Sequence, residues 1–475
     1  MDLLSLSFGI FLLIGTIVYY IIPGKVQWIW LLFLGMFFYV SSSLKLSVFI
    51  LFSILISYLY ARYFRNRTGL VIVIALTAGC LLFLKVCSGG GGLLASFLPL
   101  ERFSLLLPLG ISFYTLQIIG YCVDVYRKKT EPETNIFKYV LFVTFFPQIL
   151  QGPIPRFDRL HKQFFVPHRF SYQKIVFALQ LILWGLFQKM VIADRAAIVV
   201  NRLFGEYETY KGFYVLLAGV LYSIQLYADF AGCVSIAQGA AALFDIHLDD
   251  NFDHPYFAVS VKDFWRRWHI SLSSWLKDYI YIPLGGNRHG KARKYMNIII
   301  TFLVSGVWHG IGLHYLVWGG LHGAYQCVGD ATMPFREKLK KAMKMDTTSF
   351  SYTLFSQIVT FFLVMAAWIF FRASSVKMGI LMIKNMFTVW NPYIFWTDDI
   401  YMLGLDGRNF RLLILSIFLL WGVGMLQQKG NLREWIDRQN LVFRWTIILA
   451  GILSILIFGI YGPGYDSAQF IYGAF

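Results

Sequence analysis

Six of the nine histidines fall within residues 254–322: His254, His269, His289, His309, His314 and His322. Imidazole is the side chain whose proton moves most readily near neutral pH, so this concentration points to acid–base work. His309 stands in Ser305-Gly-Val-Trp-His-Gly310, among Phe302, Leu303, Val304, Val307 and Ile311. Apolar surroundings favour the uncharged ring, and an uncharged ring is what a general base needs. From such a place His309 can take the proton of a hydroxyl as the oxygen attacks a thioester carbonyl. A helix-packing histidine, hydrogen-bonded across a bundle, fits the same residues equally well. His322, in Trp318-Gly-Gly-Leu-His-Gly323, has a similar but weaker setting, and His314 follows no recognisable pattern. Spaced ligand pairs such as HxxxH are missing from the sequence, which argues against a metal.

Taken as one helix, residues 261–279 place Trp265, Trp268, Leu272, Trp275, Leu276 and Tyr279 on one side. Lys262, Arg266, Ser273 and Lys277 fall opposite. Such an amphipathic helix suits the membrane interface. His269 lies at the boundary between the faces, where it can look into the protein; a surface anchor without chemistry is the plainer reading. Ile282-Pro-Leu-Gly-Gly-Asn-Arg-His-Gly290 then forces a turn. Its Asn287, Arg288 and His289 are donors for an anionic or polyol group, or simply an ordinary basic turn. Asp229 stands inside the apolar Gln225-Leu-Tyr-Ala-Asp-Phe-Ala-Gly232, as a proton-relay carboxylate or as the partner of a membrane arginine.

Composition says what kind of elements must carry these residues. The chain has 475 residues, 58% hydrophobic and 14% charged, where soluble domains carry about 25% charged residues. No water-soluble core of this length hides so much apolar surface, so lipid is the solvent for most of it. Runs long enough to span recur at 3–22, 26–42, 46–63, 69–87, 104–125, 174–194, 212–245, 295–328, 352–371, 411–428 and 443–461. Two of them, 212–245 and 295–328, exceed one crossing and read as one long tilted helix or as two pieces. Shorter apolar stretches at 138–150 and 379–390 read as re-entrant or interfacial. The expected fold is an all-α polytopic membrane protein with about 11 transmembrane helices. It forms a single membrane domain over residues 1–475.

Lys and Arg number 42 against 25 Asp and Glu, a formal charge of +17. The cations gather in short loops: Arg62, Arg65 and Arg67; Arg127, Lys128 and Lys129; Arg156, Arg159, Lys162 and Arg169. That pattern places those loops in the cytoplasm. Motifs that read grooves or stack bases are missing, so the charge reports membrane orientation rather than nucleic acid. Cys80, Cys87, Cys122, Cys233 and Cys327 are irregularly spaced in or beside apolar runs and read as small buried residues. The run at 3–22 follows Asp2 with no basic region or small-x-small cleavage site, and reads as a retained helix. Ser88-Gly-Gly-Gly-Gly92 reads as a flexible connector without the lysine of a phosphate-binding loop. The Lys- and Met-rich stretch 330–348 reads as a linker.

Phe264-Trp-Arg-Arg-Trp-His-Ile-Ser-Leu-Ser-Ser-Trp-Leu-Lys-Asp-Tyr-Ile-Tyr-Ile-Pro-Leu-Gly-Gly-Asn-Arg288 resembles the signature of the membrane-bound O-acyltransferase (MBOAT) superfamily. It looks most like the bacterial branch that contains the alginate O-acetylation membrane subunit. Ser305-Gly-Val-Trp-His-Gly310 and Trp318-Gly-Gly-Leu-His-Gly323 are similar to the next two blocks. Pro108-Leu-Gly-Ile-Ser-Phe-Tyr-Thr-Leu-Gln117, Gln151-Gly-Pro-Ile154, Tyr227-Ala-Asp-Phe-Ala-Gly232 and Trp368-Ile-Phe-Phe-Arg-Ala373 also match, so the likeness is dense over 108–373. Where many relatives carry an acidic residue near the end of the Asp-Phe block, this chain has Ser235.

The resemblance implies helices around a central tunnel and transfer of an acyl group to a hydroxyl. It implies His309 as the catalytic histidine and His269 as the second polar group of the pocket. It implies no bound cofactor, but an acyl thioester donor, acetyl-CoA, entering from the cytoplasm. Arg266, Lys277 and Arg288 would meet the donor's phosphates; Asn287, Trp308, His322 and Asp229 complete the substrate-binding candidates. Implied partners are the lipid bilayer, a glycan or polymer acceptor and an extracytoplasmic acyltransferase- or esterase-like protein, at the bacterial inner (cytoplasmic) membrane. D-alanyl transfer to teichoic acid is the related alternative. A proton-coupled transporter or flippase, and a non-catalytic scaffold, stay open as other classes.

Overall fold

The computed structural model describes residues 3–42, 44–88 and 107–461. Its regular elements are helices; the one strand-like pairing among the described residues is an antiparallel bridge between Phe252 and Trp268. Among the described residues, seven helices are long and apolar enough to cross a membrane, and Leu6–Ile21 and Ser47–Tyr63 are shorter apolar helices. The chain is therefore an all-helical, multi-pass membrane protein. A bilayer permits this because a helix satisfies its own backbone groups where no water is present. Apolar side chains such as Leu13, Leu55, Leu415 and Ile457 face outward, while Gln27, Asn297 and Ser305 are buried.

Several expected runs resolve into particular shapes. Residues 212–245 hold one helix, Phe213–Ala242, whereas 295–328 divides at Gly310 into Gly290–His309 and Leu313–Ala331. The stretch 138–150 is two short helices, Ile136–Thr144 and Phe146–Gln151; Pro147 opens the second, where a missing amide hydrogen is harmless. Of residues 379–390, those up to 388 belong to the helix Val376–Thr388, and Val389 is extended. The expected linker at 330–348 is instead largely a helix, Met333–Ala342, with no buried residue. Gly89–Gly92 lie outside the described residues.

The largest correction concerns residues 261–279, which are not one helix. Val261–Arg267 ends, Trp268 is extended, and Ile270–Leu276 starts again before a π-turn at Lys277–Tyr281. The break occurs at His269, whose φ of 45° is left-handed. Neighbouring chain substitutes for the lost helix bonds: Asp253 N–H donates to the Arg267 carbonyl at 2.9 Å, and Ile270 N–H to the Asn251 carbonyl at 3.0 Å. The expected sidedness survives, but its meaning changes. Trp265, Trp268, Trp275 and Tyr279 are buried inside the protein, so this face is core rather than a lipid anchor.

Two close contacts fix the helices that frame this region. Helices Gly290–His309 and Leu313–Ala331 meet through glycine: a Cβ on Gly306 would lie 2.5 Å from the Tyr315 carbonyl oxygen, and one on Gly319 2.4 Å from that of Phe302. Small residues let membrane helices approach this closely. Elsewhere, the continuous run Tyr172–Gly205 is tied to Phe213–Ala242 by buried charge. Lys189 Nζ sits 2.6 Å from Asp229 and 2.8 Å from Asp194. Removing one partner of such a pair leaves an uncompensated charge in an apolar medium, which costs about 3–5 kcal/mol. Lys189→Met is therefore expected to lower stability by about that amount in detergent unfolding followed by tryptophan fluorescence; a loss within error of wild type would contradict the pairing.

Candidate active site

Three of the six clustered histidines are brought together in the interior. His269, His309 and His322 are each no more than 2% exposed. His309 is the last residue of Gly290–His309, and Gly310 ends the helix. Its ring meets Trp308 (4.7 Å between centroids), Trp318 (5.0 Å) and Phe371 (5.1 Å), all edge to face. These contacts hold the imidazole plane from three sides. Trp308 belongs to the apolar cluster built by the first helices, and Trp318 to the cluster built by the later ones, so His309 lies where the two meet.

Trp308 lies between the candidate catalytic histidines, its ring 4.7 Å from His309 and 6.1 Å from His269. Its indole N–H donates to the Ser112 carbonyl at 3.1 Å, anchoring it to helix Ile111–Tyr126. His269 also packs on Phe230, at 4.8 Å. Its Nδ1 is 3.2 Å from Oδ1 of the buried Asn251. On the far side, Trp318 joins His309 to His322, with centroids 5.0 Å and 5.3 Å away. The Trp265 indole N–H donates to His322 Nδ1 at 3.1 Å. An indole nitrogen only donates, so Nδ1 of His322 is the accepting nitrogen.

The end of the His309 helix meets a further polar group. Lys85, on Arg67–Ser88 and 5% exposed, donates to the Trp308 carbonyl and lies 3.5 Å from that of His309. The last carbonyls of a helix have no intrahelical donors, and the buried Lys85 amine supplies one. Lys85 went unassigned in the sequence, although a lone lysine in a spanning run is a signal in itself. Asn251 gave no such signal, because it stands in an ordinary polar loop.

The remaining sequence candidates stand apart from this cluster. Asp229 is buried but bound to Lys189, a lysine where an arginine was one expectation. Arg266 is exposed and pairs with Asp263 at 2.5 Å. Burial alone would raise the Asp263 carboxyl, but Arg267 and Arg266 outweigh it and hold it below the usual range. Lys277, Asn287 and Arg288 are also exposed. The turn bearing Asn287 and Arg288 is clamped by buried Asn297, whose amide donates to the Leu284 and Gly286 carbonyls. His254, His289 and His314 lie outside the three-histidine cluster: His254 pairs with Asp253, His289 is exposed, and His314 packs at a tilt against Tyr315.

An all-helical membrane protein with histidines buried at helix ends is the class that fold and site define. Residues 132–376 match the family model described as MBOAT, membrane-bound O-acyltransferase family. The chain belongs to this family. It is 37% identical to a probable alginate O-acetylase AlgI of Pseudomonas syringae pv. tomato, over 60% of this chain and 52% of that one. It is 35% identical to a peptidoglycan O-acetyltransferase of Helicobacter pylori, over 60% and 58%. With a probable alginate O-acetylase AlgI of Pseudomonas putida it shares 34% identity over 74% and 71%. The chain thus aligns with little more than half the length of the first two of these relatives.

His269 is a non-glycine residue held at positive φ, a strain on the order of 1–3 kcal/mol that the surroundings must impose. Asparagine tolerates this conformation and a β-branched residue does not. His269→Asn is expected to keep the thermal midpoint near wild type, whereas His269→Val should lower it by several degrees. Equal midpoints for the two variants in differential scanning fluorimetry would show that the backbone is not constrained there.

Proposed function

We propose that this protein is a membrane O-acyltransferase that moves an acyl group, acetyl, from a cytoplasmic thioester across the membrane. The group is destined for hydroxyls of an extracytoplasmic cell-wall or exopolysaccharide polymer, and the site of action is the bacterial inner membrane. The observation that carries this reading is the buried His269–Trp308–His309 arrangement in a chain of this family. The acetyl assignment is supported by the names of the relatives, a probable alginate O-acetylase and a peptidoglycan O-acetyltransferase.

In the proposed reaction the hydroxyl oxygen attacks the thioester carbonyl while its proton passes to His309. A new C–O bond forms and the C–S bond breaks. The imidazolium then returns the proton to the departing thiolate, so His309 ends as it began. The attacking hydroxyl belongs to the glycan or to a serine of an extracytoplasmic partner. Apolar walls around His309 keep water from competing for the thioester. Arg266, Lys277, Asn287 and Arg288, being exposed, are proposed to meet the donor's phosphates at the surface rather than at the reacting carbon.

The test is transfer from radiolabelled acetyl-CoA by purified protein in lipid, with polymer and a co-purified partner supplied, and with a D-alanyl carrier protein as a second donor. Acetyl transfer by wild type, reduced about 10²–10⁴-fold in His309→Ala, is the expected result. Wild-type-like transfer by that variant would refute the base, and transfer from the D-alanyl donor alone would refute the acetyl assignment. Substrate flux in liposomes without any acyl donor would favour a transporter.

A further inference from the structure

The Asn251 amide faces one nitrogen of the His269 ring. Its side-chain Oδ1 accepts from the Ser271 N–H at 3.0 Å and from the Ser271 hydroxyl at 2.8 Å, and lies 3.2 Å from His269 Nδ1. A backbone N–H can only donate, so the amide atom facing it is the oxygen; this fixes the orientation of the Asn251 amide. An amide oxygen can only accept. The His269 nitrogen facing it must therefore be Nδ1–H, and an uncharged ring then has its lone pair on Nε2.

The surrounding chain makes this arrangement rigid. Asn251 is 1% exposed, and its own carbonyl accepts the Ile270 N–H at 3.0 Å, so both its backbone and its side chain grip the restart of the helix. Phe252 bridges to Trp268 on the other side of His269. Ser271 is held in turn: its Oγ accepts the Ile154 N–H at 3.0 Å. The left-handed turn at His269 is what lets the ring reach Asn251 while it packs on Phe230 and Trp308.

We propose that Asn251 is a positioning residue: it holds His269 as the Nδ1–H tautomer, so that Nε2 accepts a hydrogen bond from an O–H or N–H group of the bound substrate. The role in substrate binding rests on the acyltransferase reading; the tautomer does not. The same logic gives a base its direction in nucleophile–histidine–orienter sites, where the third group sets the ring and takes no proton itself. His309, with its backbone carbonyl near Lys85 and its ring held by aromatic edges, has a different kind of support. The two histidines are thus assigned separate tasks, His269 to orient a donor group and His309 to move a proton.

The experiment uses full-length protein in nanodiscs, labelled with 15N-histidine, with His269 assigned by comparison with His269→Asn. Two-bond 15N–1H correlations report which nitrogen is protonated. Wild type should show Nδ1–H at His269, and Ser271→Ala should retain it, because Oδ1 still faces Nδ1 although local packing is disturbed. Asn251→Leu should shift the ring toward the Nε2–H form. The same variant should lower kcat about 10- to 100-fold, as loss of an orienting partner does for metal-bound imidazoles, with KM for acetyl-CoA little changed. A wild-type Nε2–H ring would overturn the proposal outright, whether or not Asn251→Leu folds. Unchanged kcat and tautomer in a folded Asn251→Leu would overturn it too. If the tautomer behaves as expected but wild type transfers no acyl group from either donor, the acyltransferase reading fails and the positioning of His269 by Asn251 stands.

Discussion

A helix that ends inside an apolar interior must find partners for the backbone groups it exposes, because no water is there to take them. This constraint organises the candidate site. Both His269 and His309 stand at such ends, one at the left-handed start of Ile270–Leu276 and the other at the finish of Gly290–His309. Asn251 closes the first and Lys85 the second. The residues that make the breaks tolerable are therefore the ones that aim the histidines.

The packing around them follows. With its helix interrupted, the tryptophan face of residues 261–279 turns inward, and Trp268 and Trp265 join Trp318 and Trp368 in one aromatic core. Glycines at the crossing of the next two helices bring Trp308 and Trp318 to either side of His309. Several polar atoms here have a specific partner: an indole on His322, an amide on His269, a carbonyl on Trp308. In a medium of low polarity each such contact is stronger than in water, and leaving one unmade costs correspondingly more. The Lys189–Asp229–Asp194 group holds the run Tyr172–Gly205 to helix Phe213–Ala242 by the same rule.

Much of this is legible in the sequence. The membrane class follows from composition, the presence of several apolar helices from run length, and attention to 254–322 from histidines placed where lipid makes them costly. The separation of Trp265 and Trp268 from Arg266 and Lys277 into two faces was also legible, because a helical period survives a short break. What those faces touch was not. Periodicity cannot tell a lipid anchor from a protein core, since both want the same apolar side chains. The exposed helix Met333–Ala342 was missed because its lysines read as a linker, although its apolar residues recur at helical spacing.

By itself the sequence determined the solvent of the protein, the order of its helices, and the residue types available for chemistry. These depend on local composition and spacing, which are written along the chain. Only the tertiary structure decided that His269, His309 and His322 share one interior while Arg266, Lys277, Asn287 and Arg288 stay at the surface. It alone matched Asp229 with Lys189 and His269 with Asn251. The physical reason is that these pairings join distant segments through single hydrogen bonds and ion pairs. Nothing in the spacing of either segment specifies its partner; the packing of the whole bundle does.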